Sequence, residues 1–187
     1  MRLLLDLLNF RDGRDHIGCF CGQNTMSMKG HAVAPSLHRW LYSAAMTDNQ
    51  ELVEKLHHIW NTGDFSELAD VYSPDFVVHW PKGFLVNESR GLDGVRKAIE
   101  GVKSALPDWH ESVLDLIVGD DRVVTRYTST GTHLGLYAGV EATGKKIELD
   151  EISIYRIESG KIVEQWCLSD DISTLLTLGL LQSAPDM

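Results

Sequence analysis

Two carboxylates stand together where a β-rich segment gives way to an apolar helical run. The stretch I-V-E-Q-W-C-L-S-D-D ends on Asp170 and Asp171, and I-S-T-L-L-T-L-G follows. A period of two along the first part places Ile162, Glu164, Trp166, Leu168 and Asp170 on one face. If that face lines a cavity, Asp170 is a carboxylate beside apolar walls, which raise a carboxyl pKa and suit it to proton transfer. Trp166, four residues earlier on that face, would supply a wall and a flat platform for a ring-shaped ligand. The same S-D-D cluster is also a good helix N-cap, and a capping carboxylate is held ionised. With two adjacent aspartates, one can cap while the other faces a pocket.

Two histidines sit at strand ends: His79 in F-V-V-H-W-P and His133 in G-T-H-L-G. A neutral imidazole there can donate to a carbonyl or orient a carboxylate, although a lone strand histidine is commonly structural. His57, His58 and His110 read as helix-surface and edge positions. Trp60, Trp80, Trp109 and Trp166, with Tyr127 and Tyr155, form an aromatic-rich set that core packing explains in large part. Trp80 and Tyr155 join Trp166 as candidate substrate walls. Arg126 and Asp150 would have to meet inside a cavity to activate water for epoxide opening; surface ladder pairs are the simpler expectation. The chain has no Gly-rich phosphate loop, no G-x-S-x-G elbow and no H-E-x-x-H. Proton transfer without a cofactor is the enzyme chemistry these residues support.

The elements that must position these groups follow from periodicity. A helix with Leu52, Val53, Leu56, Ile59 and Trp60 on its apolar stripe is expected to start at Thr47 or Asp48. Asp64 caps a short second helix, and F-V-V-H-W is a strand stopped by Pro81. A helix over 92–106 carries Leu92, Val95, Ile99 and Val102 on one face. Strands over about 109–118, 122–133, 146–157 and 162–168 form an antiparallel meander, and a terminal helix ends at Gly179. Helices first and a long meander second is an α+β pattern, with helices laid on one face of a curved sheet.

The 187 residues suit one domain, and 43% hydrophobic content is that of an ordinary globular chain. A formal charge of −10 argues against nucleic acid or an anionic membrane as partner. No apolar run approaches the roughly 20 residues a bilayer span needs. Cys19, Cys21 and Cys167 give neither a paired framework nor zinc spacing, and so point to a reducing, intracellular setting. Residues 1–45 carry five basic and three acidic groups against an acidic remainder. They read as a poorly patterned extension, with the folded domain spanning 46–187.

From about Gln50 to Leu180 the chain resembles the SnoaL-like polyketide cyclase (ester cyclase) family, within the nuclear transport factor 2-like superfamily. The matching pieces are H-H-I-W-N-T-G-D-F-S-E-L, D-F-V-V-H, R-G-L-D-G-V-R-K, A-L-P-D-W, G-T-H-L-G, A-T-G-K-K-I and I-Y-R-I-E-S-G-K-I-V-E-Q-W, with the spacing from Trp166 through Asp170 to L-T-L-G. The resemblance implies an α+β cone enclosing a pocket, often paired as a homodimer through the sheet, and cofactor-independent aldol-type ring closure of a hydrophobic polyketide-like substrate; the cysteine usage and lack of a span set the expected location as cytoplasmic. It makes Asp170 the general acid/base, with His79 and His133 as donors. The alternatives are a non-catalytic small-molecule carrier or dimerisation module, in which Asp170 only caps a helix, and an epoxide hydrolase-like enzyme.

Overall fold

A computed structural model describes residues 37–81, 88–137 and 139–182 of the chain. The expectations for the first 36 residues, Cys19 and Cys21 among them, lie outside the described residues. Helix α1 (Leu37–Thr62) leads into a short α2 (Leu68–Val71) and strand β1 (Tyr72–His79). Strand β2 (Glu88–Arg90) and helix α3 (Gly91–Ala105) come next. The meander β3 (His110–Val118), β4 (Arg122–Thr132), β5 (Lys146–Glu158) and β6 (Lys161–Ser169) then runs into α4 (Asp171–Leu178).

The six strands form one open, curved sheet in the order β2-β1-β6-β5-β4-β3. Every pairing is antiparallel except β1 with β6, which is parallel. Alternation decides the faces. On β5 the odd positions from Ile147 to Ile157 are buried, and on β4 so are Val123, Thr125, Tyr127, Ser129 and Gly131. Of these, Val123, Tyr155 and Ile157 meet the stripe of α1 (Val53, Leu56, Ile59, Trp60) and that of α3 (Val95, Ile99) in one core. A second cluster of Ala105, Leu106, Trp109, Ile147, Leu149 and Leu178 ties the end of α3 to the sheet and α4.

Three local features depart from the sequence expectation. Helix α1 runs through Thr47 and Asp48 instead of starting there. Asp64 accepts from the Ser66 amide at 2.9 Å, a local turn, and α2 begins only at Leu68. The third matters most for function. In β6 the partner of Ile157 is Ile162, whereas the partner of Arg156 is Glu164, so Val163 is an extra, bulged residue. A bulge resets the period of two. Ile162 is buried, and beyond the bulge the buried positions are Gln165 and Cys167, with Trp166 and Leu168 on the opposite face.

Candidate functional site

The inner face of the sheet collects an unusual amount of buried polarity. Glu151 on β5 is only 8% exposed. Its carboxyl accepts from the Ser129 hydroxyl, from the Tyr127 hydroxyl at 3.3 Å and from the Cys167 thiol at 3.6 Å. The Tyr127 hydroxyl also lies 3.1 Å from Ser153 Oγ, which accepts from Gln165 Nε2 at 3.2 Å. Three side chains from β4 and β6 thus donate to one carboxyl group on β5. Burial and the nearby charge of Glu111 push Glu151 up to about 8, so it is an acid at neutral pH. The same burial raises the Cys167 thiol and the Tyr127 phenol well above their ordinary values, leaving both protonated.

A second buried pair sits beside this group. His57 on α1 places Nδ1 2.6 Å from Glu111 Oε2 on β3, and Trp109 Nε1 donates to Glu111 Oε1 at 3.3 Å. Asn61 clamps the Glu111 backbone, accepting its amide at 2.6 Å and donating to its carbonyl at 3.0 Å. The imidazole stands edge-on to Tyr127, ring centres 4.9 Å apart, and to Tyr155 at 6.3 Å. His57 is therefore an interior residue, 4% exposed, and not the surface histidine its place in the sequence suggested. Its neighbour His58 takes the exposed side of the helix.

The aspartate doublet divides. Asp170 is exposed and is the N-cap of α4, its carboxylate accepting from the Ser173 amide at 3.4 Å and the Ser173 hydroxyl at 2.5 Å. Those bonds hold its pKa below the ordinary carboxylate range. The expected raised carboxyl in a hydrophobic hollow is corrected here: past the bulge Asp170 points to solvent, and capping keeps it ionised. Asp171 is half-buried and accepts from the Ser169 hydroxyl at 2.7 Å. Burial, aided by the charges of Asp171 and Glu151, lifts the phenol of Tyr137 to about 12.

The remaining expected site residues are scattered. His79 lies on the outer face of the sheet, with Nε2 2.9 Å from Glu164 Oε1, and it stacks on Trp166 at 5.5 Å. Arg122 covers the same indole, and Arg156 Nε donates to Glu164 at 3.0 Å. His79 and Trp166 do meet each other, but away from Asp170 and the interior. His133 is fully buried with Nδ1 3.0 Å from Thr143 Oγ1, and its Nε2 has no hydrogen-bond partner among the described residues. Trp80 packs edge-on to Trp60 and donates to Ser89 Oγ at 3.0 Å. Tyr155 is fully buried in the interior, accepting from Thr125 at 3.4 Å. Arg126 pairs with Asp115 at 2.7 Å and Asp150 accepts from Thr128 at 2.8 Å, so each makes an outer-face ladder contact. A depression of about 430 Å³ is lined by Arg126, Asp150, Glu151, Ile152, Leu168 and Asp170.

The inner polar group was missed because acidic strand residues read as solvated. One signal was present: Ile147, Leu149, Glu151, Ser153, Tyr155 and Ile157 share a phase, so Glu151 falls in the apolar register of its strand.

The inner face of this open, curved α+β sheet buries an acid among hydroxyls, beside an imidazole–carboxylate pair. Residues 50–178 match the family model for SnoaL-like polyketide cyclase, and the chain belongs to that family. It is 26% identical over 142 residues to the aklanonic acid methyl ester cyclase DnrD of Streptomyces peucetius, covering 72% of this chain and 92% of that protein. Among solved structures it resembles AclR of Streptomyces galilaeus, provisionally described as a hydroxylase, with 32% identity, 75% and 86% coverage and a TM-score of 0.65. It is also similar to IdmH of Streptomyces antibioticus, provisionally described as a polyketide cyclase, with 29% identity, 70% and 97% coverage and a TM-score of 0.61.

Proposed function

We propose that this protein is a cofactor-independent cyclase that closes a ring in a hydrophobic polyketide-like carbonyl compound by acid–base catalysis on the inner face of the sheet. The observation that carries this is Glu151, a carboxylic acid kept protonated by burial among Tyr127, Ser129 and Cys167. A neutral carboxyl group in a dry site can hydrogen-bond a substrate carbonyl and give its proton as the oxygen becomes an enolate. Tyr127 beside Glu151, Trp109 beside Glu111 and Tyr155 beside His57 are buried rings that suit a flat, apolar substrate. The similarity to an ester cyclase supports the reaction type. Asp170 takes the capping role in this reading, and the carboxyl chemistry moves to Glu151.

The test is deuterium incorporation at the carbon alpha to a carbonyl, followed by NMR with a panel of diketones and keto esters. Wild type should exchange at least one compound well above the buffer rate, and Glu151→Gln should slow that exchange by about 100-fold, the lower end of what general acid–base groups contribute. Wild type at the buffer rate throughout, or Glu151→Gln within threefold of wild type, overturns the proposal.

We further propose that the protein works as a cytoplasmic homodimer paired through the outer face of the sheet. Ile152, Ile154 and Leu168 stand there exposed, at positions where a solvated antiparallel sheet would carry polar side chains. Leu168→Glu should shift sedimentation from a dimer to a monomer; a wild-type monomer at tens of micromolar would contradict this. No described helix is long and apolar enough to cross a membrane.

A further inference from the structure

The Glu111–His57 pair is unexplained by packing alone. A helix–strand contact needs no imidazole, and apolar residues of similar volume would join α1 to β3 without desolvating a charge. Glu111 is committed on both oxygens, to His57 Nδ1 and to the Trp109 indole N–H, and its backbone is fixed by Asn61. A carboxylate accepts and does not donate, so Nδ1 carries the hydrogen, and whenever the ring holds a single proton Nε2 is a lone pair. That Nε2 is buried and has no hydrogen-bond partner among the described residues. The groups facing the ring are Glu111, Tyr127 and Tyr155. Tyr127 also touches Glu151, donating its hydroxyl to that carboxyl group at 3.3 Å. A buried imidazole with one nitrogen oriented by a carboxylate and the other left unpaired has the hydrogen-bonding pattern of a general base.

We infer that His57 is the base of this site: its Nε2 removes the proton alpha to the substrate carbonyl, with Glu111 fixing its tautomer and Glu151 acting as the complementary acid. The inference rests on the cyclase reading above. The proton leaves carbon for Nε2, the C–H electron pair becomes the enol double bond, and the carbonyl oxygen takes the proton of Glu151. The enol carbon then attacks a second carbonyl carbon of the same molecule and forms the new C–C bond. The oxygen of that second carbonyl takes the proton from Nε2, and the first oxygen returns its proton to Glu151. Both groups end as they began, and nothing is gained or lost overall. Glu111 is a positioning residue here, acting only through the imidazole.

The discriminating variant is His57→Asn, whose side-chain amide can still donate to Glu111 in place of Nδ1–H while Nε2 is removed. Alpha-deuterium exchange is measured with the panel compound that wild type turns over, together with that compound's binding and the thermal midpoint. We expect His57→Asn to keep a near-wild-type midpoint, bind the compound within threefold and lose about 100-fold in exchange rate. In ¹⁵N-histidine NMR of wild type near pH 9, above the ordinary imidazole range, His57 should be protonated on Nδ1 and bare on Nε2, and Glu111→Gln should alter that signature. His57→Asn exchanging within threefold of wild type overturns the base assignment and leaves the role of Glu151 standing. So does an imidazole protonated on Nε2 near pH 9, a result that needs no substrate and so answers even if His57→Asn fails to fold. Wild type that exchanges no compound removes the cyclase reading and this inference together.

Discussion

Relative to Glu151→Gln, the wild-type protein loses about 1.4 kcal/mol of unfolding free energy for each pH unit across the window between the two pKa values of this carboxyl group. In the unfolded chain Glu151 releases its proton near the ordinary value of 4.5; in the folded chain it holds it up to about 8. Between those values the native state carries a proton that the unfolded state does not, so stability falls as pH rises. The contribution is fully present below the ordinary carboxyl range, is lost through the window, and is level again above it. Glutamine keeps the size and the carbonyl acceptor for Ser129 but cannot ionise. Urea denaturation of both proteins at intervals from pH 4 to 9 gives the difference directly, because titrations elsewhere in the chain cancel. A difference that does not change with pH would mean that Glu151 ionises as freely folded as unfolded, and the acid in the site would be lost.

Gly135→Ala should destabilise the fold by about 2–4 kcal/mol, at the upper end of what single substitutions do. The amides of Leu134 and Gly135 both donate to the Ala105 carbonyl, at 2.9 and 3.0 Å, which pins the end of β4 to the end of α3. A methyl group on Gly135 would fall 2.3 Å from the Ser104 carbonyl oxygen and 3.1 Å from Ala105 Cα. Those are backbone atoms and cannot swing aside. Gly101→Ala is the natural comparison: it lies on the exposed side of α3 with nothing within 4 Å, so alanine should add about 0.5–1 kcal/mol. Thermal or urea unfolding of both variants decides it. Gly135→Ala with wild-type stability would mean that the loop and helix do not approach as described.

Much of this architecture was legible because single-element signals are local. The stripe of Val95, Ile99 and Val102 wrote α3, and the alternation on β4 and β5 wrote the two long strands. Gly179 was legible as the end of α4, and it does adopt φ 81 there, with the Leu180 amide returning to Leu175. The start of α1 was not legible. Thr47 and Asp48 are good caps, but L-H-R-W-L-Y-S-A-A ahead of them lacks Gly and Pro and continues the helix. The parallel pairing of β1 with β6 was invisible because a period of two marks a strand and says nothing of its neighbour. For the site, periodicity carried Asp170 and Trp166 to the wrong face, since no residue type announces a bulge at Val163. Glu111 and His57 lie 54 positions apart on different elements, and only folding brings them within 2.6 Å.

That single extra residue has a consequence for anyone aligning this strand with its relatives. Sliding residues 164–169 by one place exchanges a lining of Gln165 and Cys167 for Glu164 and Trp166, turning solvent-facing chemistry into apparent catalytic machinery. Insertions and deletions there act on which side chains face the interior more than on the length of a loop. A relative without the bulge would turn a different set of functional groups inward from a nearly identical string of letters.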